Sequence, residues 1–237
     1  MINVSKISVM NFENAIRGMR NPMNSWDRSD SDFSCRTCEG CYYEKEKNIT
    51  EENGVVECWC NHTALRIGEN DLNLAMRLAN AGSDDRKFMR QISVVMDVTA
   101  PLYWWKEADQ YKIGVTTNSC STMHKIHAKE FQLSDFSWEK LDEPGIQLLE
   151  AIIDYLNYNR KLFVDTKDKK YWNNMIQILP TSYNQLRTVT LNYEVLRNMY
   201  HARKNHKLSE WRELCKKIES LPYSQLITGK EKDDEQR

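Results

Sequence analysis

Apolar residues recur at every second position in two parts of the chain, a pattern that predicts β-strands with one buried face. The clearer alternation runs through residues 91–99, where every second residue from Ile92 to Met96 is apolar. A weaker alternation occupies residues 2–9, and Thr188–Leu191 is a short run rich in β-branched residues. We therefore expect three strands, with the 91–99 strand at the centre of the sheet.

Helical periodicity, with apolar residues three or four positions apart, covers much of the remaining chain. It predicts helices at 12–19, 70–81, 101–113, 144–163, 171–178, 192–204 and 208–220. The helix that follows the central strand begins at Pro101, which suits a first helical turn, and Gly114 is placed to end it. Its apolar face includes Ile113, and we expect the Trp104–Trp105 pair to lie in the core.

A run of small polar residues, Thr116–Thr122, comes after this helix. Seven such side chains in succession do not form core, and their position behind a strand and a helix is typical of a ligand-facing loop on a rigid base. Strands mixed with long helices place the chain in the α+β class. We expect residues 82–123 and 179–227 to form one core.

The composition indicates a globular protein, which we interpret as a single domain covering residues 1–237. The chain is 41% hydrophobic and 28% charged, and its net charge of −1 gives no strong signal for nucleic-acid binding. The N-terminal residues contain no long apolar run, so neither a membrane span nor a signal peptide is indicated and a cytoplasmic location is expected. The charged residues 229–237 are expected to be a disordered tail.

Five of the seven cysteines crowd into residues 33–62, which we interpret as a cysteine-rich insert in the domain. The closely spaced candidate metal ligands are Cys35, Cys38, Cys41, Cys58, Cys60 and His62. A structural zinc ion takes four ligands of these types, so we predict that four of the six bind zinc. Two alternatives stay open: reduced, unligated thiols, or a disulfide pair, which is uncommon in a cytosolic protein.

Parts of the sequence follow the order of motifs in one enzyme family. Pro101 ends the central strand, Lys106-Glu107 and Gln110-Tyr111-Lys112 follow it, and Val115–Ser121 supplies the polar run. The later matches, in order, are Leu179-Pro180, the strand to Leu191, Asn192, Arg203 and Glu210-Trp211-Arg212. This order resembles the flavin-dependent thymidylate synthases. In that family, Arg-Gln occupies the position of Lys106-Glu107, and Arg-His-Arg the position of Gln110-Tyr111-Lys112.

The resemblance implies a central, mostly antiparallel sheet with long helices, and an enzyme that transfers a one-carbon unit to C5 of dUMP or a related pyrimidine deoxynucleotide. It also implies FAD as the hydride source, a folate co-substrate and a homotetramer with sites shared between subunits. The implied catalytic positions are Ser119 and Ser121, and the implied cofactor-binding positions are Lys112, Asn118 and Arg203. The implied substrate-binding positions are Lys106, Glu107, Cys120, Asn192, Arg197 and Arg212.

The substituted motif leaves two other functional hypotheses. A lysine cannot reproduce the bidentate fork of an arginine, and only Lys112 keeps a charge where the family has Arg-His-Arg. In the first hypothesis, the protein is a non-catalytic nucleotide-binding or structural relative of the family. In the second, the cysteine-rich insert acts as a metal-dependent interaction module. In each case we expect an anionic ligand to lie against Thr116–Ser121, with Lys112, Arg203 and Arg212 as the candidate cations.

Overall fold

A computed structural model describes residues 2–32 and 66–229. These residues form two compact units: residues 2–10 with 92–229, called the sheet unit, and residues 11–32 with 66–91, called the helical unit. All six candidate metal ligands of the cysteine-rich insert lie outside the described residues, and so does the charged tail beyond Gly229. The predictions made for them stay predictions.

The four strands of the described residues are separated along the chain by α-helices and short 3₁₀ turns. The strands are β1 (Asn3–Met10), β2 (Ser93–Pro101), β3 (Thr116–Ser119) and β4 (Asn184–Asn192). The α-helices are α1 (Phe12–Arg20), α2 (Glu69–Asn80), α3 (Leu102–Ala108), α4 (Glu143–Thr166), α5 (Lys169–Ile178), α6 (Tyr193–Arg203), α7 (Ser209–Glu219) and α8 (Gln225–Thr228). Within residues 2–32 and 66–229, no helix combines the length and the apolar character that a membrane span requires.

The sheet unit is built on a four-stranded sheet with the strand order β1-β2-β4-β3. All three strand pairs are antiparallel, and β2 is an inner strand that pairs with both β1 and β4. Every second residue of β2 from Val94 to Ala100 is buried, and Met96 pairs with Val189 of β4 on the same face. The α+β class and the inner position of the 91–99 strand are therefore as the sequence predicts.

Two predictions for the segment after β2 are wrong. The helix ends at Ala108, not at Ile113, whose side chain is 92% exposed. The predicted hydroxyl loop begins instead as a strand, because Thr116–Ser119 pairs along residues 187–190 of β4. Threonine favours extended backbone, and at the edge of the sheet these polar side chains stay in water.

Pairs of helices complete the sheet unit. The long helix α4 begins at a Pro-containing first turn, where the Asp142 side chain accepts from Gly145 N, and it packs along α5. Their shared apolar cluster includes Leu149, Leu156 and Met175. Helix α6 follows β4 directly, because Asn192 ends the strand and caps the helix by accepting from Val195 N at 3.0 Å.

The helical unit contains α1, α2 and short 3₁₀ turns, and it includes residues 82–91, which we expected within the main core. Its centre is a buried ion pair in which Arg20 Nε donates to Asp71 Oδ1 at 2.5 Å. The other Asp71 oxygen accepts from the hydroxyls and backbone amides around Ser29 and Ser31. Burial raises the Asp71 pKa, but these hydrogen bonds and the Arg20 charge hold that pKa below its ordinary value.

Candidate functional site

The candidate site lies where β2 turns into α3. Pro101 is the last residue of the strand and caps the helix with an extended backbone. The first two amide groups of α3 donate to the carbonyls of Tyr183 and Thr181, so the start of the helix is tied to the segment before β4. This arrangement directs Trp104, Trp105 and Ala108 to the buried side of α3. The expectation that both tryptophans are core residues is confirmed.

A cavity of about 220 Å³ lies between the sheet and the helices of the sheet unit. Strands β2 and β4 and helices α3, α6 and α7 supply its walls, which are mostly apolar. The lining side chains are Met96, Val98, Trp104, Trp105, Ala108, Asp109, Tyr111, Lys112, Val115, Thr117, Val189, Leu191, Leu196, Met199 and Leu214. Only Asp109, Lys112 and Thr117 of this group are classed as exposed, so the cavity meets solvent on their side.

The two tryptophans in the cavity wall differ in their polar contacts. Trp105 Nε1 donates to the Gln185 carbonyl at 3.0 Å, and the Arg187 guanidinium stacks over the Trp105 ring. Trp104 is equally buried, with 3% of its surface exposed, and its Nε1 has no hydrogen-bond partner among the described residues. A buried donor without an acceptor costs about 1–3 kcal/mol, and such groups are rare in native structures.

The cavity also has the concave form of a binding site, because it is mostly apolar inside and meets solvent on the side of Asp109, Lys112 and Thr117. An apolar cavity of this size with an unpaired polar group in its wall is a candidate binding site.

Lys112, which we expect at an anion site, lies in the connection between α3 and β3. The chain reverses at Gly114, which has φ = +75° and would place a Cβ atom 2.9 Å from Asn192 Nδ2. Only glycine combines this backbone with that close approach. Lys112 and Thr117 then lie on the same side of the cavity. No described carboxylate pairs with the Lys112 ammonium group.

The other predicted residues of this segment are exposed along and after β3. Asn118 pairs in register with Thr188, and Ser119 pairs with Arg187. Cys120 is a free, exposed thiol whose backbone amide donates to Leu186 O at 2.9 Å. The Ser121 hydroxyl accepts from the amides of Met123 and His124, which leaves its own hydrogen available to donate.

Two further predicted residues, Glu107 and Arg203, form an ion pair with Nη1 and Oε1 2.8 Å apart. Glu107 Oε2 accepts from Trp211 Nε1 at 2.6 Å, and His206 Nε2 lies 3.4 Å from Glu107 Oε1. Arg203 also donates to the Tyr111 hydroxyl and stacks over Trp211. Burial raises the Glu107 pKa, but the Trp211 hydrogen bond and the charges of Arg203 and His206 hold that pKa below its ordinary value.

The remaining predicted positions already have contacts within the protein. Arg197 is buried and donates to the carbonyls of Leu226 and Ile227, so it joins α6 to α8. Arg212 donates to the carbonyls of His206 and Lys207 between α6 and α7. Lys106 is exposed on α3, and Asn192 has the capping role described above.

Several residues of the site could not be found by sequence reasoning. Tyr111, His206 and Trp211 join the Glu107–Arg203 pair, and the Asp109–Arg187 ion pair of 2.7 Å closes beside the cavity. These contacts cross 78 or more positions of sequence, and no local pattern marks them. Within residues 2–32 and 66–229, no three His, Cys, Asp or Glu side chains are grouped as a metal site would require.

Comparison with known proteins gives similarity at the level of the fold. No protein-family model matches the chain, and no curated protein matches it. A crystal structure of thymidylate synthase X (ThyX) from Helicobacter pylori with FAD and dUMP is similar with a TM-score of 0.63 and 16% sequence identity, covering 97% of this chain and 98% of that chain.

A second crystal structure of the flavin-dependent thymidylate synthase ThyX from Helicobacter pylori, complexed with FAD and dUMP, has a TM-score of 0.61 and 14% identity. It covers 95% of this chain and 99% of that chain. At these identities the similarity shows the fold alone. The sequence-based expectation is therefore confirmed in its coarser form: the chain has an α+β fold similar to that of these two ThyX structures.

Proposed function

We propose that this protein is a divergent thymidylate synthase-like enzyme that acts at C5 of a pyrimidine deoxynucleotide, dUMP or a close relative. The main support is the likeness of fold, which extends over 97% of the chain to an enzyme crystallised with FAD and dUMP. The position of Lys112 adds to it, because an exposed cation without a described carboxylate partner stands beside a polar edge strand. This is the chemistry that a nucleotide phosphate requires.

In this proposal the chain binds and orients the nucleotide and neutralises its charge. The Lys112 ammonium group pairs with the phosphate, and the hydroxyls of Ser119 and Ser121 donate to the nucleotide from the end of β3. The Ser121 hydroxyl is held by the amides of Met123 and His124, so its hydrogen has a fixed direction. Positioning of this kind lowers the barrier of a two-substrate reaction without a nucleophile from the protein.

The 220 Å³ cavity is smaller than the roughly 300–1,000 Å³ of sites for drug-sized ligands, so FAD, a folate and a whole nucleotide do not fit inside it and would bind outside, on the side of Lys112. Of the proposed cofactor residues, Lys112 and Asn118 are exposed, whereas Arg203 is paired with Glu107. FAD, when bound, supplies hydride for the reduction. In the proposed homotetramer, other subunits would contribute the further cations that pair with the phosphates of FAD.

The proposal predicts that Lys112→Ala weakens dUMP binding by about 1.5–3 kcal/mol, the contribution of a hydrogen bond to a charged group. Titration calorimetry with dUMP on the unmodified protein and the variant measures the difference. Lys125→Ala is the matched control, because Lys125 is also an exposed lysine but does not line the cavity. Equal dUMP affinity in the unmodified protein and the Lys112 variant would move the phosphate site elsewhere.

A non-catalytic nucleotide-binding relative is the second candidate function. It is favoured by the arginines, since Arg197, Arg203 and Arg212 are all engaged by protein groups. Release of the C5 hydrogen of dUMP, with reduced flavin and a folate one-carbon donor supplied, distinguishes the two candidates. An enzyme releases this hydrogen and purifies with, or takes up, flavin with its visible absorption band. Binding of dUMP without release favours the second candidate.

For the cysteine-rich insert we keep the zinc hypothesis, with four ligands among Cys35, Cys38, Cys41, Cys58, Cys60 and His62. The close spacing of the thiols supports it. Elemental analysis of protein purified without chelator tests it, and absence of metal together with free thiols on all five cysteines would contradict it.

A further inference from the structure

We propose that the cavity beneath the sheet is a binding site for a one-ring aromatic acid that carries a hydrogen-bond acceptor opposite its acidic group. The cavity is too small for a flavin or a folate, and this proposal uses Lys112, as the nucleotide proposal does, but does not depend on the nucleotide chemistry. The inference comes from three features of the cavity: its size, the unpaired N–H of Trp104, and the cation Lys112 at its open side.

The volume of the cavity and its lining side chains are suited to a ligand with one aromatic ring. An apolar cavity of about 150 Å³ is known to accept benzene, so 220 Å³ accommodates one ring with a few more atoms but not a nucleoside. Met96 and Met199 line the cavity together with Trp104 and Trp105. Thioether and indole groups make favourable contacts with aromatic rings.

Trp104 determines the polar group at the inner end of the ligand. Its Nε1–H is buried without an acceptor, although the neighbouring Trp105 has one in Gln185 O. The ring of Trp104 packs edge-on against Trp105, with ring centroids 4.8 Å apart, and against Trp211, with ring centroids 4.6 Å apart. These contacts fix its position. A ligand oxygen that accepts from Nε1 would satisfy this donor.

Lys112 determines the polar group at the outer end. Trp104 lies in α3 and is buried, whereas Lys112 is exposed four residues beyond the end of that helix, so the buried donor and the cation lie at different depths of the cavity lining. The nearby cation Arg187 is already paired with Asp109 at 2.7 Å. Lys112 is therefore the cation available for a carboxylate that stays close to water.

The test uses 4-hydroxybenzoate as the probe in titration calorimetry with the full-length protein. Benzoate, which lacks the acceptor, and 4-hydroxybenzamide, which lacks the charge, are its matched controls. We expect 4-hydroxybenzoate to bind with one site per chain and both controls to bind at least about tenfold more weakly, because each loses a polar contact.

Three variants connect the binding to the cavity. Lys112→Gln should reduce the affinity for 4-hydroxybenzoate about tenfold and leave that for 4-hydroxybenzamide unchanged. Trp104→Phe should remove the preference for 4-hydroxybenzoate over benzoate. Ala108→Leu fills the cavity from a position that is 8% exposed, and it should abolish binding of all three probes while the protein stays folded by circular dichroism.

Several results would overturn the inference. Failure of all three probes to give saturable binding would leave the cavity without this function. Unchanged 4-hydroxybenzoate binding in a folded Ala108→Leu variant would place the ligand elsewhere. Equal binding of the acid and the amide would remove the role of Lys112. Because the Ala108 variant does not alter Lys112, failure of the nucleotide proposal and failure of this one give different patterns of results.

Discussion

The two units each bury a polar group, and the two groups differ in whether they have hydrogen-bond partners. In the helical unit, the fully buried Asp71 carboxylate receives donors from Arg20, Ser29 and Ser31. In the sheet unit, Trp104 lines the cavity, and its buried indole N–H has no acceptor among the described residues. A saturated polar group fixes a structure, whereas an unsatisfied one beside a cavity leaves room for a ligand.

The largest expected effect comes from breaking the saturated site. Asp71→Asn removes the charge that compensates the buried Arg20, so we expect the free energy of unfolding to fall by about 3–5 kcal/mol. Urea denaturation followed by circular dichroism measures this loss. The control is Lys87→Met, because Lys87 and Asp84 form an ion pair on the surface, which contributes at most about 1 kcal/mol.

The double variant Arg20→Met with Asp71→Asn sharpens the interpretation. It leaves no buried charge unpaired, and the amide oxygen at position 71 can still accept from Ser29 and Ser31, so it should recover part of the lost stability. A loss below about 1 kcal/mol in Asp71→Asn would show that the ion pair is not what fixes this unit.

A matched pair of tryptophan variants tests the other side of the comparison. Trp104→Phe and Trp105→Phe remove the same volume from the same cavity wall, but only the second removes a formed hydrogen bond, the one to Gln185 O, together with the ring on which Arg187 stacks. We expect Trp105→Phe to be more destabilising than Trp104→Phe by about 1–2 kcal/mol in ligand-free protein. Equal losses in thermal or chemical denaturation would indicate that water already satisfies Trp104.

The smallest expected effect is a dependence on acidic pH. Since the Asp71 pKa is lowered in the folded protein, its contribution is fully present above the unfolded-state value of about 3.9. That contribution is lost as the pH falls through the lower folded pKa. The stability of Asp71→Asn should therefore fall less steeply below about pH 4 than that of the unmodified protein. Parallel pH profiles of unfolding would contradict this assignment.

Local patterns in the sequence were sufficient for most of the secondary structure. The strand at 91–99, the long helix near 144–163 and the α+β class all depend on periodicity, which the chain shows clearly. The end of α3 was missed, because Gly114 marks the turn into β3 and not the last helical residue. The hydroxyl run by itself predicts a loop, because its strand pairing depends on β4, about seventy positions away.

The candidate site was less accessible to the same reasoning. Lys112 and Thr117 line the same cavity, and their closeness in sequence makes this neighbourhood predictable. The Glu107–Arg203 pair is different, since the ion pair that engages Arg203 joins residues 96 positions apart. The partner of an indole N–H, or its absence, depends on tertiary packing, so no sequence pattern could reveal the unpaired group of Trp104.

The two outer strands of the sheet have a consequence for the behaviour of the protein at high concentration. An unprotected outer strand offers its backbone amides and carbonyls to another chain, which is a common first step in aggregation. On one side, the pairing of β1 is interrupted between Ser5 and Ser8, where Lys6 adopts φ = 49°. On the other side, β3 is only four residues long. A kinked strand with a lysine and a very short strand are both features that discourage pairing with another chain, so both outer strands oppose fibre growth.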